Sequence, residues 1–131
     1  MIIGIGCDIV EHSTTKLLKW ESDNNLLHRV FSTSELELYN IQKKIEFIAG
    51  RFAAKEAVLK CLGTGMRDGL SLTDIQILRL ESGKPIIELG GEMKKLSDNL
   101  GITSWHVSIT HSANCSHAFV LAEGQTYPSW Q

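Results

Sequence analysis

The sequence predicts an α+β domain: a mainly antiparallel sheet packed against helices, one of them long and central. Two observations carry the prediction. The elements read in the order strand, three helices, two strands, helix, two strands, and the strands pair more readily as hairpins than through βαβ crossovers. The stretch "FIAGRFAAKEAVLKCL" at 47–62 is also apolar nearly all the way round at helical spacing, as a helix buried on two sides would be.

Residues 2–10 open the chain as a strand. Ile3, Ile5, Cys7 and Ile9 share one face, and Gly4, Gly6, Asp8 and Val10 share the other. "STTKLLKWE" at 13–21 reads as a short helix with Leu17, Leu18 and Trp20 inward. "STSE" at 32–35 reads as a capping box, with Ser32 as N-cap and Glu35 reaching back, and its helix runs to about Asn40. The long helix follows from about 44 to 62 and stops at "GTG", because glycine readily takes the left-handed C-cap conformation. "LTDIQILRLE" at 72–81 alternates as a strand, "SGKP" turns, and "IIEL" returns. Leu89, Met93, Leu96 and Leu100 recur at helical spacing until Gly101. "WHVSIT" and "HAFVLAE" then form a hairpin across "HSANCS". The tail "GQTYPSWQ" is expected to be loosely held, with Trp130 a candidate for docking.

A chain of 131 residues suits one compact domain. Its net charge of −2 gives no global basic field for nucleic acid or an anionic membrane surface. Asp8 interrupts the apolar N-terminus and no basic segment precedes it, so neither a signal peptide nor a membrane span is expected. Three widely spaced cysteines, Cys7, Cys61 and Cys115, fit neither a disulfide framework nor a zinc cluster. Reduced and largely buried thiols in a cytoplasmic protein are the expectation.

One position in the long helix stands out. At about 100° per residue, Ile45, Ile48, Ala49, Phe52 and Leu59 fall on one face, and Glu56 lands among them with Lys60 at its edge. An unpaired carboxylate in such a place is costly. Either Lys60 pairs with it at i+4, or a hard divalent cation shared with Asp8 neutralises it. Asp8 itself is either a turn-capping residue or a ligand beside Gly4 and Gly6, which leave room for something to approach the strand backbone. Arg51, Lys55 and Lys60 add cations to the same helix. Gly63, Thr64 and Gly65 serve as a C-cap or, through consecutive N–H groups, as a phosphate cradle. His111 ends a strand, where binding residues collect, and no other histidine is given a role.

Taken together, "GIGCDIVE" at 4–11, "RVFSTSEL" at 29–36, "FIAGRFAAKEAVLKCLGTG" at 47–65, "DIQI" with "GKP" at 74–85 and "HVSITHS" at 106–112 resemble the holo-acyl-carrier-protein synthases. These are the short-type 4′-phosphopantetheinyl transferases. The resemblance spans residues 1 to about 123 as one domain and leaves 124–131 as a tail. It implies a magnesium-dependent transfer of 4′-phosphopantetheine from coenzyme A to a serine of apo-acyl carrier protein, releasing adenosine 3′,5′-bisphosphate. It also implies a homotrimer with active sites between subunits. The metal carboxylates correspond to Asp8 and Glu56, and Lys60 is expected to neutralise phosphate charge. Arg51, Lys60, Gly63, Thr64, Gly65 and His111 are the implied coenzyme contacts, with Lys84 and Pro85 contributing from a neighbouring subunit. Glu56, a metal-held water or His111 stands as the general base. Thr14 departs from the pattern: many relatives have an arginine there to meet the acidic carrier helix, which leaves docking to Lys16, Lys19 and Arg29. Two rival readings are a magnesium-dependent pyrophosphate hydrolase and a non-catalytic coenzyme-binding scaffold.

Overall fold

The alternation at the N-terminus does form a strand, β1 (Ile2–Glu11). In the computed structural model, which describes residues 1–67 and 69–125, β1 pairs antiparallel with β5 (Cys115–Gly124). The latter pairs on its other side with β4 (Ile102–His111), giving the order β1-β5-β4. The β4–β5 hairpin turns where expected, and Ser112 Oγ holds the turn by accepting from the amides of Asn114 and Cys115. A separate antiparallel ribbon joins β2 (Ile75–Arg79) to β3 (Pro85–Leu89). Its first strand starts later than the alternation suggested, because Leu72–Asp74 make a 3-10 turn capped by Ser71.

The two faces of β1 have opposite fates. Gly6 and Val10 are buried and Gly4 and Asp8 half-buried, whereas Ile5, Cys7 and Ile9 are exposed. The inner face is covered by α4 (Ile45–Leu62), the long central helix. A Cβ on Gly6 would stand 2.1 Å from the Ala57 carbonyl oxygen, and one on Gly4 would stand 2.5 Å from that of Cys61. The group that approaches the strand backbone at these glycines is therefore the helix backbone itself. Backbone-to-backbone approach of this kind is possible only where no side chain intervenes.

α4 is buried on two sides. Ala53, Ala57, Val58 and Leu62 join Ile75, Ile77, Met93, Ala118 and Val120 in the main core. Ile48 reaches a second cluster with Trp20, Leu27, Val30, Phe31, Leu36 and Tyr39. The all-round apolar character of the helix thus serves a core within one chain. Gly63, with φ of 70°, terminates it as expected.

The N-terminal helices depart most from the sequence reading. α1 (His12–Leu17) stops early because Lys19 takes a left-handed φ of 54°, and a 3-10 turn, Trp20–Ser22, follows. Leu17 and Leu18 consequently face solvent at 83% and 55% exposure, and only Trp20 turns inward, edge-on to Phe31 and Phe52. α2 (Asn24–Val30) was not anticipated, although Asp23 caps it by accepting from the Leu26 amide. α3 (Thr33–Gln42) starts with the expected capping box. α5 (Gly91–Asn99) begins after Leu89, which belongs to β3, and buries Met93.

Gly124 ends β5, and its amide donates to the Met1 carbonyl while the Met1 amine donates back. Trp130 lies outside the described residues. No described helix is long and apolar enough to cross a membrane. Of the three free cysteines only Cys61 is buried; Cys7 is exposed and Cys115 half-buried, so the expectation of largely buried thiols holds for one of them.

Candidate active site

Asp8 reaches the inner face of the sheet one strand pleat beyond Gly6, where α4 lies closest. Lys60 Nζ donates to Asp8 Oδ1 at 3.2 Å and to the Cys7 carbonyl at 2.8 Å. The Lys60 partner is thus Asp8, across 52 residues, and no Lys60–Glu56 ion pair forms among the described residues. Glu56, one turn earlier on α4, is half-buried. Burial first, and then the charge of Asp8, push its carboxyl above the usual range, while Lys60 pulls the other way. Two carboxylates therefore lie within range of each other's charge, with one lysine offsetting part of their repulsion. Hard oxygen donors under mutual repulsion fit a hard divalent cation. No group of three or more His, Cys, Asp or Glu side chains gathers among the described residues. An ion held here would complete its shell with water or with oxygens of a bound anion.

A second group forms nearer the start of α4. Arg51 and His111 line a cavity of about 350 Å³ together with Lys43, Lys44, Glu46, Phe47 and Arg79. Arg51 donates from Nε to the Ile77 carbonyl at 3.2 Å and stacks 3.9 Å over the Phe47 ring. Burial, aided by the nearby Arg79, lowers its pKa to about 10, although the Glu35 charge opposes the shift. Burial likewise holds His111 below the usual imidazole range, with His12 and Arg51 adding to the effect and Glu46 opposing it. In the sheet, Asp8 lies in the row Asp8–Ala118–Ile109 and His111 in the row Val10–Ser116–His111. The two places are two residues apart along the strands and two strands apart across them, about 12 Å by standard spacing.

Lys55 belongs to neither group. It is the fully buried charge of α4, and its Nζ donates to Glu35 Oε1 at 2.7 Å, to the Leu72 carbonyl at 2.8 Å and to the Ile75 carbonyl. Glu35 also accepts from the amides of Ser32 and Ile77, each at 3.0 Å. The three helix cations read as one cluster therefore separate: Lys60 to Asp8, Arg51 to the cavity, Lys55 to the core. Glu35, itself held by Lys55, accepts from the Ile77 amide, and the carbonyl of Ile77 then accepts from Arg51.

In the loop after α4, the amides of Gly63 and Thr64 donate to Lys60 and Leu59 carbonyls and so close the helix. Lys84 and Pro85 sit at the β2–β3 turn, where Pro85 pairs with Arg79. Among the described residues no ion pair joins the Lys84 side chain to either group.

The model of the 4′-phosphopantetheinyl transferase superfamily matches residues 4–120. The chain belongs to that superfamily. A relative named holo-[acyl-carrier-protein] synthase, from Hamiltonella defensa, is 40% identical over 94% of this chain and 98% of its own. The crystal structure of holo-[acyl-carrier-protein] synthase from Neisseria meningitidis superposes with a TM-score of 0.85 at 34% identity, covering 94% of this chain and 99% of that one. The Helicobacter pylori synthase in complex with coenzyme A gives 0.79 at 34% identity, covering 91% and 99%. The motifs from "GIGCDIVE" to "HVSITHS" thus mark a phosphopantetheinyl transferase, as their resemblance implied.

Sequence reading of this transferase missed Arg79, Lys43 and Lys44 in the cavity and His12 and Ser116 behind His111. Arg79 ends an ordinary strand, and nothing in its neighbourhood in sequence marks it.

Proposed function

We propose that the chain transfers 4′-phosphopantetheine from coenzyme A to a serine of apo-acyl carrier protein, with magnesium, and releases adenosine 3′,5′-bisphosphate. The observation that carries this is the Asp8–Glu56 pair with Lys60 between strand and helix, about one nucleotide's reach from a cationic cavity. The relatives' names and the coenzyme A in the Helicobacter pylori structure support the choice of donor and acceptor.

Attack by a serine hydroxyl on the β-phosphorus of coenzyme A forms a new O–P bond and expels the bisphosphate. The demands are in-line placement and charge neutralisation. Asp8 and Glu56 would hold magnesium, which when bound supplies charge neutralisation for the pyrophosphate. Lys60, already held by Asp8 and the Cys7 carbonyl, places its ammonium beside the same oxygens. Glu56, or a metal-held water that it orients, would accept the serine proton. Arg51, Arg79 and His111 fit the bisphosphate end of the donor. The loop at Gly63, Thr64 and Gly65 follows directly on the helix that carries Glu56 and Lys60, and its coenzyme contact rests on the family resemblance.

The outer face of β1 and β5 supports self-assembly, which the family resemblance makes a homotrimer. Ile5, Ile9 and Phe119 stand exposed at 66%, 52% and 57% on one sheet surface. Contiguous apolar surface of this kind marks a protein contact. A neighbouring subunit in such an assembly could bring Lys84 and Pro85 to the site. Lys16 and Lys19 on the exposed side of the α1 region suit an acidic carrier.

The test is incubation with apo-acyl carrier protein, coenzyme A and magnesium, followed by mass spectrometry of the carrier. A magnesium-dependent phosphopantetheine adduct on the carrier serine, lost in Glu56→Gln, is the expected result. Cleavage of coenzyme A with an unmodified carrier would overturn the reading in favour of a hydrolase. Binding without turnover would leave a scaffold.

A further inference from the structure

We propose that Ser116 and His12 are positioning residues for His111, their buried chain deciding which nitrogen of the His111 ring presents a proton to the cationic cavity. His111 Nδ1 lies 2.7 Å from Ser116 Oγ, and the same oxygen lies 2.8 Å from His12 Nε2. Ser116 is fully buried and His12 is 4% exposed. The three residues come from the end of β4, the start of β5 and the start of α1, with Ser116 in the middle strand. Gly50 on α4 makes room for the ring: a Cβ there would stand 2.8 Å from His111 Cε1.

The protons in this chain can be counted. A serine hydroxyl has one proton to donate and lone pairs to accept with. When both imidazoles are neutral, one nitrogen accepts that proton and the other must donate its own N–H to the oxygen. Two arrangements satisfy both contacts. In one, Ser116 donates to His111 Nδ1, so His111 carries its proton on Nε2, and His12 donates from Nε2. In the other, every role is reversed and His111 Nε2 is bare.

The cavity selects between them. Among the described residues Lys43, Lys44, Arg51 and Arg79 face it against one acid, Glu46, so its ligand is an anion. A bare Nε2 would set a lone pair against that anion, whereas an Nε2–H donates to it. The first arrangement is therefore the binding form, and His12 supports it as the terminal donor. An isolated imidazole in water exchanges between tautomers freely; here a hydroxyl shielded from water ties the choice to its neighbour.

The inference rests on the reading of His111 as a coenzyme contact. Its test compares Ser116→Ala, His12→Phe and His12→Gln, the last restoring an N–H donor near the position of Nε2, with His111→Ala as reference. Nitrogen-15 NMR of histidine-labelled protein with adenosine 3′,5′-bisphosphate bound reads the tautomer, and steady-state kinetics read KM and kcat for coenzyme A. Wild type is expected to show His111 protonated at Nε2. Ser116→Ala and His12→Phe should lose that preference and raise KM for coenzyme A about tenfold, with kcat changed less than threefold, while His12→Gln stays near wild type. Should Ser116→Ala fail to fold, the two His12 variants make the same comparison. The inference is overturned if His12→Phe leaves the tautomer and KM unchanged while His111→Ala raises KM. If His111→Ala leaves KM unchanged, the coenzyme reading of His111 falls and takes the inference with it.

Discussion

Lys55 and Glu35 form an ion pair at 2.7 Å in which both side chains are fully buried. Neither has water to fall back on, so each needs the other and the backbone groups around them. Glu35 serves three partners at once: the Ser32 amide that starts α3, the Ile77 amide in β2, and Lys55 in α4. The pair joins two helices to a strand. Burial lowers the Lys55 pKa, and the Glu35 charge works against that shift. Replacing Lys55 with Met would strand the carboxylate among apolar groups and destabilise the fold by about 3–5 kcal/mol. Urea unfolding measures this, and the double variant Lys55→Met with Glu35→Leu should recover part of the loss.

Glu56 gives the opposite result. Its carboxylate is partly out of water and within range of the Asp8 charge, so its own charge is a liability to the folded chain without metal. Its folded pKa is raised, so this liability is absent below the unfolded value and grows as pH rises through the folded one. Glu56→Gln should therefore melt at a higher temperature than wild type at neutral pH in the presence of a chelator. Added magnesium should raise the wild-type melting temperature and leave the variant unmoved. Transfer activity should be lost. A variant that melts lower without metal would contradict the repulsion between the two acids.

The cysteines report on assembly. Burial pushes the Cys61 thiol up to about 11, so at pH 8 only about one part in a thousand is thiolate. Cys7 is exposed on the same face as Ile5 and Ile9. A maleimide or disulfide reagent should leave Cys61 untouched in the native protein. Cys7 should be protected at high protein concentration and become reactive on dilution, following the molecular mass measured by light scattering. Rapid labelling of Cys7 at all concentrations would argue against assembly through this face.

Thr14 is exposed on α1, beside Lys16. Thr14→Arg adds a cation where an acidic carrier helix would dock. It should lower KM for the carrier several-fold at low salt while leaving KM for coenzyme A alone, and the gain should fade as ionic strength rises. Steady-state kinetics at two salt concentrations decide the point.

Local signals in the sequence were sufficient where the physics was local. Ser32 and Glu35 three residues apart specified the start of α3, Gly63 specified the end of α4, and alternation located all five strands to within a few residues. Leu17 and Leu18 were misplaced because the left-handed turn at Lys19 follows from how Trp20 docks on Phe31 and Phe52, which are distant in sequence. Lys55 and Glu56 are adjacent, and helical periodicity put Glu56 on the apolar face where the fold buries Lys55 fully and Glu56 only in part. The reason lay in Glu35 and in the Leu72 and Ile75 carbonyls. Asp8, Glu56, Lys60, Arg51 and His111 were singled out by their places on strand and helix and then by the motifs that contain them. That Lys60 meets Asp8, that Arg79 shares a cavity with Arg51, and that His12 reaches Ser116 across 104 residues had no signature along the chain.

The contact between Gly6 and Ala57 sets how closely the helix that carries Glu56 lies on the strand that carries Asp8. Divalent ions differ in the gap they accept: magnesium needs oxygens at about 2.0–2.1 Å, calcium at about 2.3–2.6 Å. Gly6→Ala inserts one methyl group as a shim, 2.1 Å from a carbonyl oxygen that must retreat. Under the proposed magnesium role, a preference for the smaller ion would rest on the absent side chain of Gly6, and Gly6→Ala should shift it toward calcium, as read from the melting-temperature rise that each ion gives.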